Sequence, residues 1–442
     1  MGLSASEIAS RLNSSYWFVP LAVTVGGVLL AFLLLLLDSR VSLADDGVLA
    51  LVRPTSPEGA RALLSAVITA MITTISVTFS VTIVALTVAA QHFGPRVLNN
   101  FVRQTSAQVV LGTFMATFTY SVLVLGAVRG TESDSSVPEL AVLGAVVLVG
   151  ASVGALIYYV HHVSTTLQIG ELAAAIAVDL RGAVSRSDQA ASQAPGLASP
   201  EIPAAPAGAV VVAADASGYV QKIDYEAIVH EAGTRDAVVW IRREPGAFVV
   251  SGAPLALVHP AEACDEAFAG TVRGACVLGR DRTLWHDPEF AVKQLVEIAL
   301  RALSPGVNEP FTAVTCVDRL TECLAHVATT PRPRVAWRDD GGRTRVYSRA
   351  QPFATLLRAA FDPIRVFAGP NPAIYARLLD SVAELGLIAG QEEADSLLRE
   401  QAERIRRAAS RALADAEDLA YVESRYRGAL EQLAGPPASS RR

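Results

Sequence analysis

The amino-acid sequence predicts an α-helical integral membrane region of about four transmembrane helices, followed by a soluble α+β domain with a small β-barrel-like part and helical hairpins. Three observations predict it. Uncharged apolar runs recur four times in the first third, at about 17–37, 62–90, 107–128 and 140–160. A stretch rich in Ala, Ser and Pro then interrupts the chain, and beyond it short β-type runs give way to helical spacing.

The overall apolar content is 51% and the mean hydropathy +0.37, yet the first third carries nearly all the excess. The run FVPLAVTVGGVLLAFLLLLL at 18–37 has no charge, and about 20 such residues suffice to cross about 30 Å of hydrocarbon. It exceeds the roughly seven to fifteen apolar residues of a signal peptide, so it is expected to be retained as an anchor. The lipid bilayer is therefore the first expected partner. The connector after the second span carries Arg96 and Arg103 and no acid, whereas the one after the third is acidic. The positive-inside rule then places both termini and the soluble domain in the cytoplasm of a cell whose plasma membrane the chain crosses several times.

Charge and cysteine usage exclude other classes. The net charge is -6, with 35 Arg and only Lys222 and Lys293 as lysines, which argues against a nucleic-acid partner. Cys264, Cys276, Cys316 and Cys323 form no CxxC pair, so neither a metal site nor a redox motif is expected. No cofactor is implied.

The second span is the informative one. Ser65, Thr69, Thr73, Ser76, Ser80 and Thr87 follow steps that keep them on one helical face, and the third span adds Thr113, Thr117 and Ser121 at steps of four. Such stripes either pack helices together or line a hydrated path through an oligomer. No Asp, Glu, Lys or Arg interrupts any span, so the usual signature of a proton relay is missing. The fourth span carries Gly150 and Gly154 as GxxxG, which permits a close helix contact, and ends in Tyr158, Tyr159, His161 and His162, expected as interfacial anchors.

The organisation read from these signals is a transmembrane region at 1–163, a helix and linker at 164–208, a β-rich subdomain at 209–285 and a mainly helical subdomain at 286–442. The turns of PGAFVVSGAPLALVHP suggest the barrel-like part, DPEF opens a helix with Asp at its N-cap, and a β-hairpin is expected near 333–348. A last long helix is expected over 391–433, its Arg and acidic residues at i,i+4 distances.

Several passages carry a resemblance. YWFVP at 16–20, VAAQHFGPRVLNNF at 88–101, SGYVQKID at 217–224 and RDRTLWHDPEFAVKQLVEIALRALSPGVNEPFTA at 280–313 resemble the bacterial membrane-protein family called domain of unknown function 2254. In that family the last motif usually has Asp where this chain has Glu309. The resemblance implies a multi-span membrane region with a cytoplasmic domain and brings no activity with it.

The same motif supplies candidate ligand-binding residues. Arg282, Thr283, Asp287, Arg301, Ser304, Asn308 and Glu309 offer two guanidiniums, hydroxyls and helix starts to an anion, or else a capped turn with a structural ion pair. No nucleophile elbow, P-loop or usable carboxylate pair is present, so an enzyme is not expected. The leading expectation is a homo-oligomeric, channel-like membrane protein whose second span supplies the pore-lining hydroxyls. The alternative is a membrane-anchored sensor or regulatory module for a small anionic ligand.

Overall fold

Apolar runs without charge become helices in a bilayer because every backbone group must be satisfied within the segment. The computed structural model describes residues 17–38, 56–93, 105–128, 137–166, 173–182, 202–284, 287–329, 335–349, 353–389 and 392–434. The linker over 183–201, Trp285 and His286 of the long motif, and most of the connectors between spans lie outside these residues. The chain divides into two compact units, Met1–Gln168 and Ile169–Arg442.

The first unit contains α1 (Phe18–Asp38), α2 (Pro57–Phe93), α3 (Thr105–Ala127) and α4 (Glu139–Thr166), each long and apolar enough to cross a membrane. They alternate in direction. Parallel α1 and α3 meet through small residues: a Cβ on Gly27 would lie 2.8 Å from that of Ala116, and one on Gly112 3.0 Å from Pro20 Cα. Antiparallel α3 and α4 are joined by polar contacts, with Tyr120 donating to the Ala141 carbonyl at 2.7 Å and Thr117 and Ser152 sharing a hydroxyl bond at 2.9 Å. Asp38 accepts from the Leu140 amide at 2.9 Å and so satisfies the start of α4. Gly150 and Gly154 face open space, so the close approaches fall on Gly27, Gly112 and Gly144 instead of the GxxxG pair. Tyr159, expected as an anchor, is buried and bonds the Thr82 hydroxyl.

In the second unit a helix over 173–182, α5, precedes the strands β1 (Val210–Ala213), β2 (Gly218–Ile223), β3 (Val238–Ile241), β4 (Phe248–Val249), β5 (Pro254–His259), β6 (Cys276–Gly279), β7 (Ala336–Arg338) and β8 (Thr344–Ser348). They form two open sheets, ordered β1-β5-β3-β8-β7 and β4-β2-β6. All pairings are antiparallel except β3 with β8. The barrel-like expectation is therefore corrected: no closed barrel forms among the described residues. Two helices that strand-type runs concealed, α6 (Tyr225–Thr234) and α7 (Glu266–Ala275), intervene, each capped by the aspartate before it, Asp224 and Asp265. Val220, Val239, Leu255 and Val258 from the strands and Ile228, Phe268 and Val272 from these helices share one apolar core. A helix packed across the strands buries the face that barrel closure would otherwise cover.

The remainder is helical: α8 (Pro288–Ala302), α9 (Pro310–Thr329), α10 (Phe353–Phe367), α11 (Pro372–Ala389), α12 (Glu392–Ala412) and α13 (Ala416–Ala434). α8 and α9 form the expected hairpin. α9 and α11 run in step, with Thr321 bonding Ser381 at 2.8 Å and Arg377 paired with Asp318. The long helix expected over 391–433 is two. Asp415 ends it, because its carboxylate accepts from the Glu417 amide at 2.7 Å and starts α13, which folds back so that Arg406 meets Glu423 at 3.2 Å. Cys276, Cys316 and Cys323 are buried, and burial pushes each thiol up to about 12, leaving them as small apolar groups.

Candidate functional site

α2 meets the rest of its bundle through a narrow seam. Its buried residues Ala60, Leu64, Met71, Thr78 and Ala85 follow a step of four and then steps of seven, which keeps a straight helix in contact along one narrow line. Counted at about 100° per residue, Thr69, Thr73, Ser76, Ser80 and Thr87 fall within about 30° of the opposite direction and Ser65 within about 50°. All six are exposed in the single chain. Four of them donate to the carbonyl four residues earlier in their own helix: Thr69 to Ser65 at 2.9 Å, Thr73 to Thr69 at 3.1 Å, Ser76 to Ile72 at 2.9 Å and Thr87 to Ile83 at 2.8 Å. This satisfies the hydroxyl protons without a second helix, and leaves oxygen lone pairs on the outward face.

The two stripes noted in the sequence thus part company. Thr117 and Ser121 of α3 are buried and Thr117 bonds α4, a packing role within the chain. Among the described bonds the six stripe hydroxyls reach no other helix, whereas Thr82, off the stripe, bonds Tyr159 of α4. At 37 residues α2 runs about 55 Å, well beyond a hydrocarbon core of about 30 Å.

The candidate ligand residues fall into two groups at opposite ends of α8, a helix of 15 residues and so about 22 Å long. At its start, Arg282 is held bidentately by Asp287, Nε to Oδ2 at 2.7 Å and Nη2 to Oδ1 at 2.8 Å, and reaches Glu289 at 3.0 Å. Lys293 completes the row on Glu289 at 3.0 Å. Asp287 is buried and also caps α8, accepting from the Phe290 amide at 3.1 Å. Burial alone would lower the Arg282 pKa, but its bonds to Asp287 and Glu289 prevail and raise it. Glu289 likewise is disfavoured by burial and still held below its ordinary value by Lys293 and Arg282. Thr283 donates to the Gln221 carbonyl at 3.5 Å, which ties the motif to β2.

At the other end SPGVNEP closes on itself. The Glu309 amide donates to the Ala302 carbonyl at 2.8 Å, that of Asn308 to Ser304 at 2.9 Å, and Ser304 Oγ donates to the Arg301 carbonyl at 2.7 Å. Asn308 adopts φ 50°, a left-handed conformation that Asn tolerates, and Glu309 accepts from the Thr312 hydroxyl at 3.1 Å. Arg301 lies in the last turn of α8. Arg282 and Arg301 therefore do not converge on one anion; the motif ties both ends of a helix to its surroundings.

A group that sequence reasoning missed lies beside the first end. The turn after β3 contains Glu244 and Gly246, and Gly246 sits against Asp287 and Arg282, with space for no Cβ and φ 87°. Burial raises the Glu244 pKa, with Arg349 acting against it and the charges of Glu289 and Asp287 adding to it. The only sequence signal was a pair of arginines, RRE, directly after a strand-type run.

Comparison with known proteins places the chain in a family. Proteins named as uncharacterised in Mycobacterium bovis and in two strains of Mycobacterium tuberculosis are each 30% identical over 399 residues, covering 87% of this chain and 76% of each relative. No solved structure matches the chain significantly. A family model described as predicted membrane protein, domain of unknown function 2254, matches residues 13–384, and the chain, with its four apolar helices, belongs to that family.

Proposed function

We propose that the protein is a homo-oligomeric, channel-like membrane protein in which α2 of each copy lines a hydrated path and the soluble unit, in the cytoplasm, governs its opening. One observation carries the reading: the hydroxyl stripe of α2 is exposed in the single chain and faces away from the seam by which α2 joins its own bundle. Within one chain that face meets only lipid, where a row of hydroxyl oxygens gains nothing. Around a shared axis it meets water. The outward Gly150 and Gly154 of α4 offer a second small-residue face for close contact between copies.

Ion flux through purified protein in liposomes tests this. Thr73→Leu and Ser76→Leu should cut flux at least tenfold while leaving the protein inserted, since Leu is at home in a membrane helix. Cysteines at 69, 73, 76 and 80 should react with a water-soluble thiol reagent, and cysteines at 64, 71, 78 and 85 should not. Equal protection at all eight positions, or a monomer without flux, would overturn the reading.

A further inference from the structure

The only parallel pairing among the described strands creates a place that none of the motif residues occupies. β3 and β8 run side by side with Ile241 opposite Ser348, and the chain leaves β3 into Arg242 and Arg243 and leaves β8 into Arg349. Three guanidinium groups thus depart from neighbouring carboxyl ends of a parallel pair, the edge at which open sheets with covering helices commonly hold ligands. Among the described residues no carboxylate lies within ion-pair distance of these three arginines, unlike Arg282 and Lys293 nearby, which Asp287 and Glu289 neutralise. Arg243 Nε is buried without a hydrogen-bond partner. A buried guanidinium N–H lacking an acceptor is unfavourable, and an anion would supply one.

The surroundings hold this edge in place. Tyr225, at the start of α6, shares a hydroxyl bond of 3.2 Å with the buried Ser348, and its ring stacks on Trp337 with centroids 3.9 Å apart. Glu244 lies in the same turn, and burial raises its pKa against the pull of Arg349.

We propose that the carboxyl ends of β3 and β8 form a binding site for a phosphate-bearing anion, with Arg243 and Arg349 as hydrogen-bond donors and Arg242 at the rim. Guanidinium groups are the side chains best matched to phosphate oxygens because each offers a planar pair of donors. The site lies wholly within the soluble unit and stands whether or not α2 lines a pore. Phosphate reaches such a site either as a free compound or as a lipid headgroup.

The experiment uses the full chain. In detergent free of anionic lipid, pyrophosphate is titrated at constant ionic strength and followed by calorimetry. Saturable binding is expected, weakened at least tenfold in Arg243→Gln with Arg349→Gln and unchanged in Arg427→Gln, on exposed α13 surface. If the double variant fails to fold, Arg349→Gln alone serves, because Arg349 is exposed. In a second arm, nanodiscs of phosphatidylcholine with and without phosphatidylglycerol are compared by thermal midpoint. An increase that needs both phosphatidylglycerol and the two arginines, with no pyrophosphate binding, identifies the headgroup as the source. Loss of neither signal in the double variant, or absence of both signals in the unaltered protein, overturns the site.

Discussion

At Gly246 a single missing methyl group decides how the start of α8 is tied to the sheets. The residue combines φ 87° with a backbone so close to the Arg282–Asp287 pair that a Cβ would overlap the carboxylate. Its amide meanwhile donates to the Val220 carbonyl at 2.8 Å, so the turn cannot simply move away. Gly246→Ala should cost about 1–2 kcal/mol for the left-handed backbone and about 1–3 kcal/mol for overpacking. A fall in the thermal midpoint of the full chain in detergent, read by circular dichroism, checks it; an unchanged midpoint would mean the turn relaxes freely. Asp287 was legible as an N-cap from DPEF, because capping is local. Its grip on Arg282 was not, since that depends on where the β3 turn lies in space.

At the scale of elements, helices and strands respond to sequence differently. The four apolar helices were readable as elements, because a bilayer leaves a helix as the way to satisfy their backbones, although the second begins five residues before the expected 62 and the fourth runs to Thr166. Which small residues bring helices together was not readable. GxxxG at Gly150 and Gly154 drew attention, whereas Gly27 against Ala116 makes the contact. Gly27→Val should therefore separate α1 from α3 and lower the stability of the membrane unit by about 1–3 kcal/mol. Gly150→Val should leave the single chain unaffected and weaken only association between copies. Thermal midpoints in detergent together with light scattering separate the two, and equal destabilisation by both variants would contradict this packing. In the second unit, α6 and α7 hid among strand-like runs although Asp224 and Asp265 offered caps, because alternating apolar residues in short segments fit either period.

For the molecule as a whole, the burial of Glu244 links stability to pH. Its folded pKa is raised, so between the ordinary value of 4.5 and the raised one the folded state holds more protons than the unfolded chain. Stability from this group is then fully present below about pH 4.5 and lost as pH rises through the folded pKa. Glu289, held low by Lys293 and Arg282, has the opposite sign, and its contribution disappears on the acid side. Glu244→Gln should accordingly gain stability over the unaltered protein as pH rises from about 5 to 7, measured by chemical unfolding at each pH. A constant difference would place Glu244 in water.

What the sequence determined by itself was the membrane region, the helical face carrying the hydroxyls and the cap that starts α8, because each follows from composition or from spacing within one helix. Only the tertiary structure decided that this face of α2 points away from its own bundle, that Arg282 and Arg301 stand at opposite ends of α8, and that Arg243 and Arg349 leave adjacent parallel strands. Those facts depend on which segments become neighbours, and β3 and β8 are brought together across about 100 residues of chain by burial of their shared core, a preference that no local spacing expresses.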